Sequence, residues 1–273
     1  MKFFKSTMAV VLSMGMVFSL AACGSDNSAS TNSNNSNTES QTEGEKPGEG
    51  KKYVIATDTT FAPFEFQNES GEFVGIDIDL INAIAEDQGF EIELQSLGFN
   101  AALQAVTSGQ ADGMIAGMSI TDERKQTFDF SDPYFDSGVI MAIGKDNNDI
   151  KSYEDLKGKK VAVKIGTEGE RFANSIASQY GFTMDVYDDS NSMYQAVLSG
   201  SAVACFEDYP VVGYAITQGI GLKFVTEKEQ GSSYGFGVKK GEKAELVEMF
   251  NDGLANLKES GKYQEILDTY IQE

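Results

Sequence analysis

Histidine is absent from this 273-residue sequence, cysteine occurs twice, and 21 basic residues face 42 acidic ones. Without histidine, most hydrolase, zinc and general-base schemes lose their usual participant. A formal charge of −21 argues against nucleic acid or an anionic lipid surface as partner. Long hydrophobic runs are also missing: the longest, Met8 to Leu20, falls short of the roughly 20 residues that span a bilayer. Cys205 lies in Ala-Val-Ala-Cys-Phe and reads as a small buried hydrophobe. With Cys23 in the leader region described next, no intramolecular disulfide is expected to hold the fold.

The first residues supply Lys2 and Lys5, the apolar run, and then Leu20-Ala21-Ala22-Cys23-Gly24. That is a basic segment, a short apolar core and a small-residue cleavage site. Cys23 after Leu-Ala-Ala resembles the lipobox of bacterial lipoproteins. The resemblance implies a signal peptide over 1–22 and acylation of Cys23. Removing two lysines and no acid would move the charge from −21 to −23. Ser25 to Gly50 is rich in Ser, Asn, Thr, Glu and Gly and cannot bury enough surface to order itself. Residues 23–50 therefore read as a flexible tether. The folded part is expected from Lys51 to Glu273, long enough for one large domain or two small ones.

Strand and helix patterns alternate along this part. Tyr53–Ala56 reads as a strand, Phe61–Phe66 as an aromatic-rich loop, Gly75–Asp87 as an amphipathic helix and Glu91–Leu97 as a strand. Phe99–Ser108 is a helix closed by Gly109, and Ala111–Ala116 a buried strand delivering the chain to Gly117. Thr121 and Asp122 suit a helix start, and Ser152 to Asp155 has the form of a capping box. Strands follow at Val139–Ile143, Val161–Val163, Thr183–Tyr187, Ala202–Phe206 and Tyr234–Val238, with helices between them and two at the end. Gln104-Ala-Val-Thr-Ser-Gly109 is echoed by Gln195-Ala-Val-Leu-Ser-Gly200, so Gly117 and Asp208 should occupy equivalent strand ends in two similar lobes. Alternating β and α elements imply largely parallel sheets, which bind ligands beyond the carboxyl ends of their strands.

Asp58, the segment Gly117 to Arg124, Lys164 to Thr167, and Glu207-Asp208 all fall at such ends. Arg124, with the N–H of Gly117 and the hydroxyl of Ser119, offers a guanidinium fork and donors for a carboxylate. Asp208 is an acceptor for an ammonium. Both charges a short distance apart define an α-amino acid. Asp58 accepts and Lys164 donates, which suits a side chain with both needs. Phe61 and Phe99 could wall the pocket or belong to the core.

The stretches ATDTTFAPFEF (56–66), FVGIDIDL (73–80), ADGMIAGMSITDERKQTFDFSDPY (111–134), VAVKIGTEG (161–169) and GKYQEIL (261–267) resemble the polar amino acid solute-binding proteins of ABC importers. The resemblance covers 51–273 and implies an α/β, two-lobe periplasmic-binding-protein-like (type II) fold. Two crossover strands would join lobe 1 (51–137 and 235–273) to lobe 2 (138–234), with the ligand cleft between them. It implies a monomer on the extracytoplasmic face of the cell membrane, held by lipid on Cys23. That monomer would pass an amino acid to a membrane permease, with no cofactor, no metal and no nucleic acid. Carried over residue by residue, Arg124 clamps the carboxylate beside Ala116, Gly117 and Ser119, Asp208 takes the ammonium, and the lobe 2 Gly-Thr turn falls on Gly166-Thr167, followed by Glu168 at the ligand where the family often has a small residue. The Asp58 and Lys164 pairing looks most like the glutamine-binding members. Glutamate would meet Asp58 with like charge, and a basic side chain would meet Lys164. Glu207 complicates this: facing the pocket it would balance Lys164 and admit arginine, lysine or histidine; pointing to solvent it would leave glutamine favoured. An enzyme on the same scaffold, a cyclohexadienyl-type dehydratase, would need a general acid, with only Glu168, Glu207 and Asp208 at hand.

Overall fold

A computed structural model describes residues 46–271. The chain builds two mixed sheets of the same plan. In the first, the strands run in spatial order Glu91–Ser96, Lys52–Thr57, Gly113–Met114, Gly237–Lys239 and Phe128–Phe130. In the second the order is Thr183–Tyr187, Lys160–Lys164, Ala204–Asp208, Phe135–Gly144 and Leu222–Phe224. Each sheet opens with three parallel strands and then turns antiparallel. The first strand of each βα run pairs in full register, Lys52 with Glu91 through Thr57 with Ser96, and Lys160 with Thr183 through Lys164 with Tyr187. The echoed Gln-Ala-Val motifs sit in the helices Phe99–Ser108 and Ser190–Leu198, which lead into the third parallel strand of each sheet. This is a two-lobe α/β fold.

The chain crosses between the sheets twice. It leaves the first after Phe130 and enters the second as Phe135–Gly144. It returns through Glu229–Tyr234 to Gly237. The two crossing strands pair antiparallel, with Tyr234 opposite Phe135.

Apolar periodicity accounts for the cores. On the helix Ile76–Gln88, Ile76, Leu80, Ile81 and Ile84 are buried, each contributing about 1.5–3 kcal/mol of transfer free energy. They pack against the helix Ala244–Ser260 through Leu246, Phe250 and Leu254. Val161, Val163, Phe172 and Phe206 play the same part under the second sheet.

Several expectations change. Phe61–Phe66 is not an open loop: Thr60–Phe61, Glu65–Gln67 and Phe73–Val74 make a small antiparallel sheet. Burial is the reason, since Phe61 and Phe64 are enclosed and Phe64 meets Phe135 and Tyr234 edge-on. Thr121 and Asp122 start no α-helix, only a single 3-10 turn over Arg124–Gln126 that the strand Phe128–Phe130 cuts off. The strand expected over Tyr234–Val238 is two, Glu229–Tyr234 and Gly237–Lys239, because the chain changes sheets between them. Residues 46–50, assigned above to the tether, form a turn on the body: Gly48 N–H donates to Gln88 O, and Lys46 Nζ to Glu86 O. The signal peptide and Cys23 lie outside the described residues, and among the described helices none is long and apolar enough to cross a membrane.

Candidate functional site

The carboxyl ends of the parallel strands of both sheets point at one another, which brings Asp58, Gly117, Lys164 and Asp208 to one cleft. Where a sheet ends, backbone and side-chain polar groups lose their ladder partners, and those groups do the work here.

At the cleft floor Lys164 makes an ion pair across the lobes with Asp58, and both side chains are buried. Lys164 Nζ also donates to Ser190 Oγ at 3.3 Å and lies 5.0 Å from the centre of the Phe61 ring. Ser190 Oγ passes the chain on to Glu207 Oε2 at 3.1 Å. Tyr194 OH donates to the same oxygen at 3.5 Å, and Asp208 N–H to Glu207 Oε1 at 3.0 Å. Glu207 thus faces neither solvent nor open pocket; its oxygens are engaged behind Ser190. Burial raises its carboxyl above the ordinary range, and Lys164 opposes that rise. Asp58 Oδ1 accepts the Thr59 N–H at 2.7 Å, so Asp58 has both oxygens engaged.

Arg124 stands at the mouth. Its guanidinium stacks 5.2 Å over the Phe99 ring and donates to Ser119 O and Gly166 O, each at 2.9 Å. The second bond spans the lobes. A cavity of about 680 Å³ opens beside Arg124, lined by Thr121, Arg124, Gly166, Thr167 and Glu168 among others; the buried Asp58, Lys164 and Asp208 do not line it. Burial lowers the affinity of Arg124 for its proton, while Glu168 and Asp208 act the other way. Glu168 is held by Arg171, whose Nε and Nη donate to Glu168 Oε2 at 2.8 and 2.6 Å. Thr167 caps the helix Glu168–Tyr180, accepting from Glu170 N–H at 3.3 Å and donating to Lys164 O at 2.8 Å. Gly166 N–H is taken by Glu170 at 2.6 Å. Ser119 is buried, and its hydroxyl meets Ser232 Oγ at 3.3 Å. Ala116 is buried with the core residues beneath Phe99.

Gly117 departs from its expected part. Its N–H does not face the cleft but donates to Asp77 Oδ2 at 2.7 Å. Its φ of 52° is one that glycine adopts freely, and a Cβ there would run into the Phe61 ring. Glycine is needed here for the fit of Phe61 against the loop.

Asp208 ends the strand Ala204–Asp208 and is buried. Tyr234 OH donates to its Oδ2 at 2.6 Å, and Ser137 Oγ donates to Tyr234 OH at 2.9 Å. Asp208 Oδ1 is buried and accepts no hydrogen bond among the described residues. Burial, with Glu207 beside it, pushes the Asp208 carboxyl up to about 7. A cation brought to Oδ1 would reverse that shift.

Sequence reasoning missed Tyr234, Ser190 and Asp77. Tyr234 gave no signal, since the residue that it orients lies in another strand. Ser190 stands at a helix start, where a serine reads as a cap. Asp77 was visible: it precedes Leu80, Ile81 and Ile84 by three, four and seven residues, on the apolar face. Among the described residues no group of three or more Cys, Asp or Glu could hold a metal ion.

Residues 53–273 match the family model described as bacterial extracellular solute-binding proteins, family 3. The arginine-binding extracellular protein ArtP of Bacillus subtilis is 30% identical over 267 residues, covering 96% of each chain. An ancestral arginine-binding protein bound to glutamine is 39% identical, with a TM-score of 0.76 over 81% of this chain and 98% of that one. The open conformation of substrate-binding domain 2 of Lactococcus lactis GlnP is 45% identical, with a TM-score of 0.58 over 84% of this chain and 98% of that one.

Proposed function

Because this chain belongs to the bacterial extracellular solute-binding proteins, family 3, we propose that it captures glutamine between its lobes and delivers it to an ABC importer. Binding a small amino acid for such a transporter is the activity of the family. The choice of glutamine rests on one observation. An acid beside an aromatic wall is a place for a cation, and the chain's own Lys164 fills it, paired with Asp58 and set over Phe61. A ligand lysine or arginine would bring a second positive charge to that point. A glutamine amide can instead donate to Asp58 and accept from Lys164 without adding net charge.

The backbone of the ligand is read as follows. Arg124, fixed on Phe99, holds the carboxylate beside Ser119; Asp208 Oδ1 receives the ammonium. Thr167, Glu168 and Ala116 shape the walls. The better superposition on a liganded relative than on an open domain of higher identity supports reading the present arrangement as lobe-closed. A basic amino acid is the rival ligand, favoured by ArtP being an arginine-binding protein at 30% identity. A dehydratase finds little support, since Glu168 is tied to Arg171 and Glu207 to Ser190 and Tyr194. The protein acts as a monomer anchored by acylated Cys23 on the outer face of the cell membrane. Competition decides the ligand: with glutamine bound, arginine, lysine and histidine at equal concentration should leave it in place. Displacement at comparable affinity would overturn the glutamine reading.

A further inference from the structure

The helix Ile76–Gln88 carries a carboxylate on its core face. Asp77 is fully buried, and its Oδ2 accepts the Gly117 N–H at 2.7 Å and the Tyr134 hydroxyl at 2.8 Å. Glu65, equally buried, lies beside it at the start of the strand Glu65–Gln67: the Asp77 N–H donates to the carbonyl of Phe64, the preceding residue, at 2.9 Å. Glu65 Oε1, Glu65 Oε2 and Asp77 Oδ1 receive no hydrogen bond among the described residues.

Two buried carboxylates this close do not both stay ionised. A single proton between Glu65 and Asp77 Oδ1 supplies the donor that those oxygens lack. The charge belongs on Asp77, which already takes two donors and lies in the first turn of a helix whose dipole favours an anion. The proton therefore belongs on Glu65. Around the pair stand Asp58, Lys164, Tyr134 and Tyr263, of which only Lys164 carries positive charge. Burial holds the Glu65 carboxyl well above the carboxylate range and sets Asp77 at about 6.

The pair touches neither Arg124 nor Asp208, yet it fixes what carries them. Gly117 opens the segment that ends in Arg124. Tyr134 directly precedes the crossing strand Phe135–Gly144, and its carbonyl accepts a hydrogen bond from Tyr263 OH. We propose that Glu65 and Asp77 form a proton-sharing carboxyl pair that positions the Gly117–Arg124 segment and ties it to the first crossover. For its effect on ligand affinity, the proposal rests on the reading that Arg124 holds the ligand carboxylate.

Glu65→Gln keeps a donor toward Asp77 without a titrating proton, whereas Asp77→Leu removes the acceptor. The infrared difference between wild type and Glu65→Gln at pH 8 should show a protonated carboxylic acid C=O band in wild type alone. Hydrogen exchange over residues 117–124 should quicken at least tenfold in Asp77→Leu and stay within threefold in Glu65→Gln. Affinity for L-glutamine, with L-arginine titrated in parallel, should follow the same order. A difference spectrum without the acid band, or exchange as slow in a folded Asp77→Leu as in wild type, overturns the proposal. Should Asp77→Leu fail to fold, the band and Glu65→Gln exchange still decide it. Wild type binding neither amino acid would refute the ligand assignment, while the band and exchange would still judge the pair.

Discussion

Replacing Lys164 by methionine should shift the ligand preference from glutamine toward arginine. The side chain is buried and paired with Asp58, which is buried as well. Unit charges about 4 Å apart attract by ~4 kcal/mol at an effective dielectric of 20. Removing one partner of such a pair costs about 3–5 kcal/mol, because the other charge stays buried and unpaired. Methionine fills comparable volume against Phe61 but leaves Asp58 alone. A guest arginine or lysine would then restore the missing cation, while glutamine would lose the donor for its carbonyl. Desolvating the guest cation consumes part of the gain. The glutamine-to-arginine affinity ratio should still fall at least tenfold, equivalent to ~1.4 kcal/mol. Calorimetric titration of the wild type and of Lys164→Met with both amino acids measures it. A Lys164→Met protein that keeps the wild-type ratio would refute the argument that the chain's own cation sets the specificity.

Other residues make separate predictions. Arg124→Ala should weaken binding by about 2–5 kcal/mol, since the ligand carboxylate loses its buried partner; Arg124→Lys should recover only part, and a loss under threefold for alanine would sink the clamp. Asp208 titrates at about 7 in the unliganded protein, and a bound ammonium would lower that value. Binding then expels a proton below pH 7, and affinity should fall by up to tenfold per unit between about pH 7 and 5. The opposite sign holds for unliganded stability: the raised carboxyl contributes below its unfolded value and that contribution is lost as pH rises through about 7. Asp208→Asn should flatten both profiles; an unchanged pH dependence would remove Asp208 as the ammonium acceptor. Cys23→Ser should release the protein from membranes in cell fractionation, and unchanged membrane retention would remove the lipid anchor.

Much of this molecule could be read from residue order. Helices bounded by glycine appeared where their periodicity put them, with Phe99–Ser108 closing on a left-handed Gly109. The echoed Gln-Ala-Val segments foretold two sheets of one plan, because each fills the same place beside a third parallel strand. Strands lacking such punctuation were harder to see. Phe128–Phe130 and Leu222–Phe224 are three residues each and owe their existence to neighbours elsewhere in the chain. Within the site, charge types and strand ends were legible, whereas pairings were not. Nothing local says that Lys164 turns to Asp58, that Glu207 is spent on Ser190, or that Gly117 gives its N–H to Asp77. Those contacts join segments 17, 40 and 106 residues apart; the Lys164 pair follows from the way the two lobes meet, and the other two from packing within a lobe.

Thermal unfolding of the chain lacking residues 1–22, with each of the twenty amino acids in turn, tests the central claim most directly. A ligand that binds only the folded state stabilises it by ~2.7 kcal/mol at a hundred times its dissociation constant. L-glutamine should raise the midpoint most, with arginine, lysine, histidine and glutamate well below it. A midpoint unmoved by all twenty would contradict amino acid capture, and a larger rise with arginine would contradict the part assigned to Lys164.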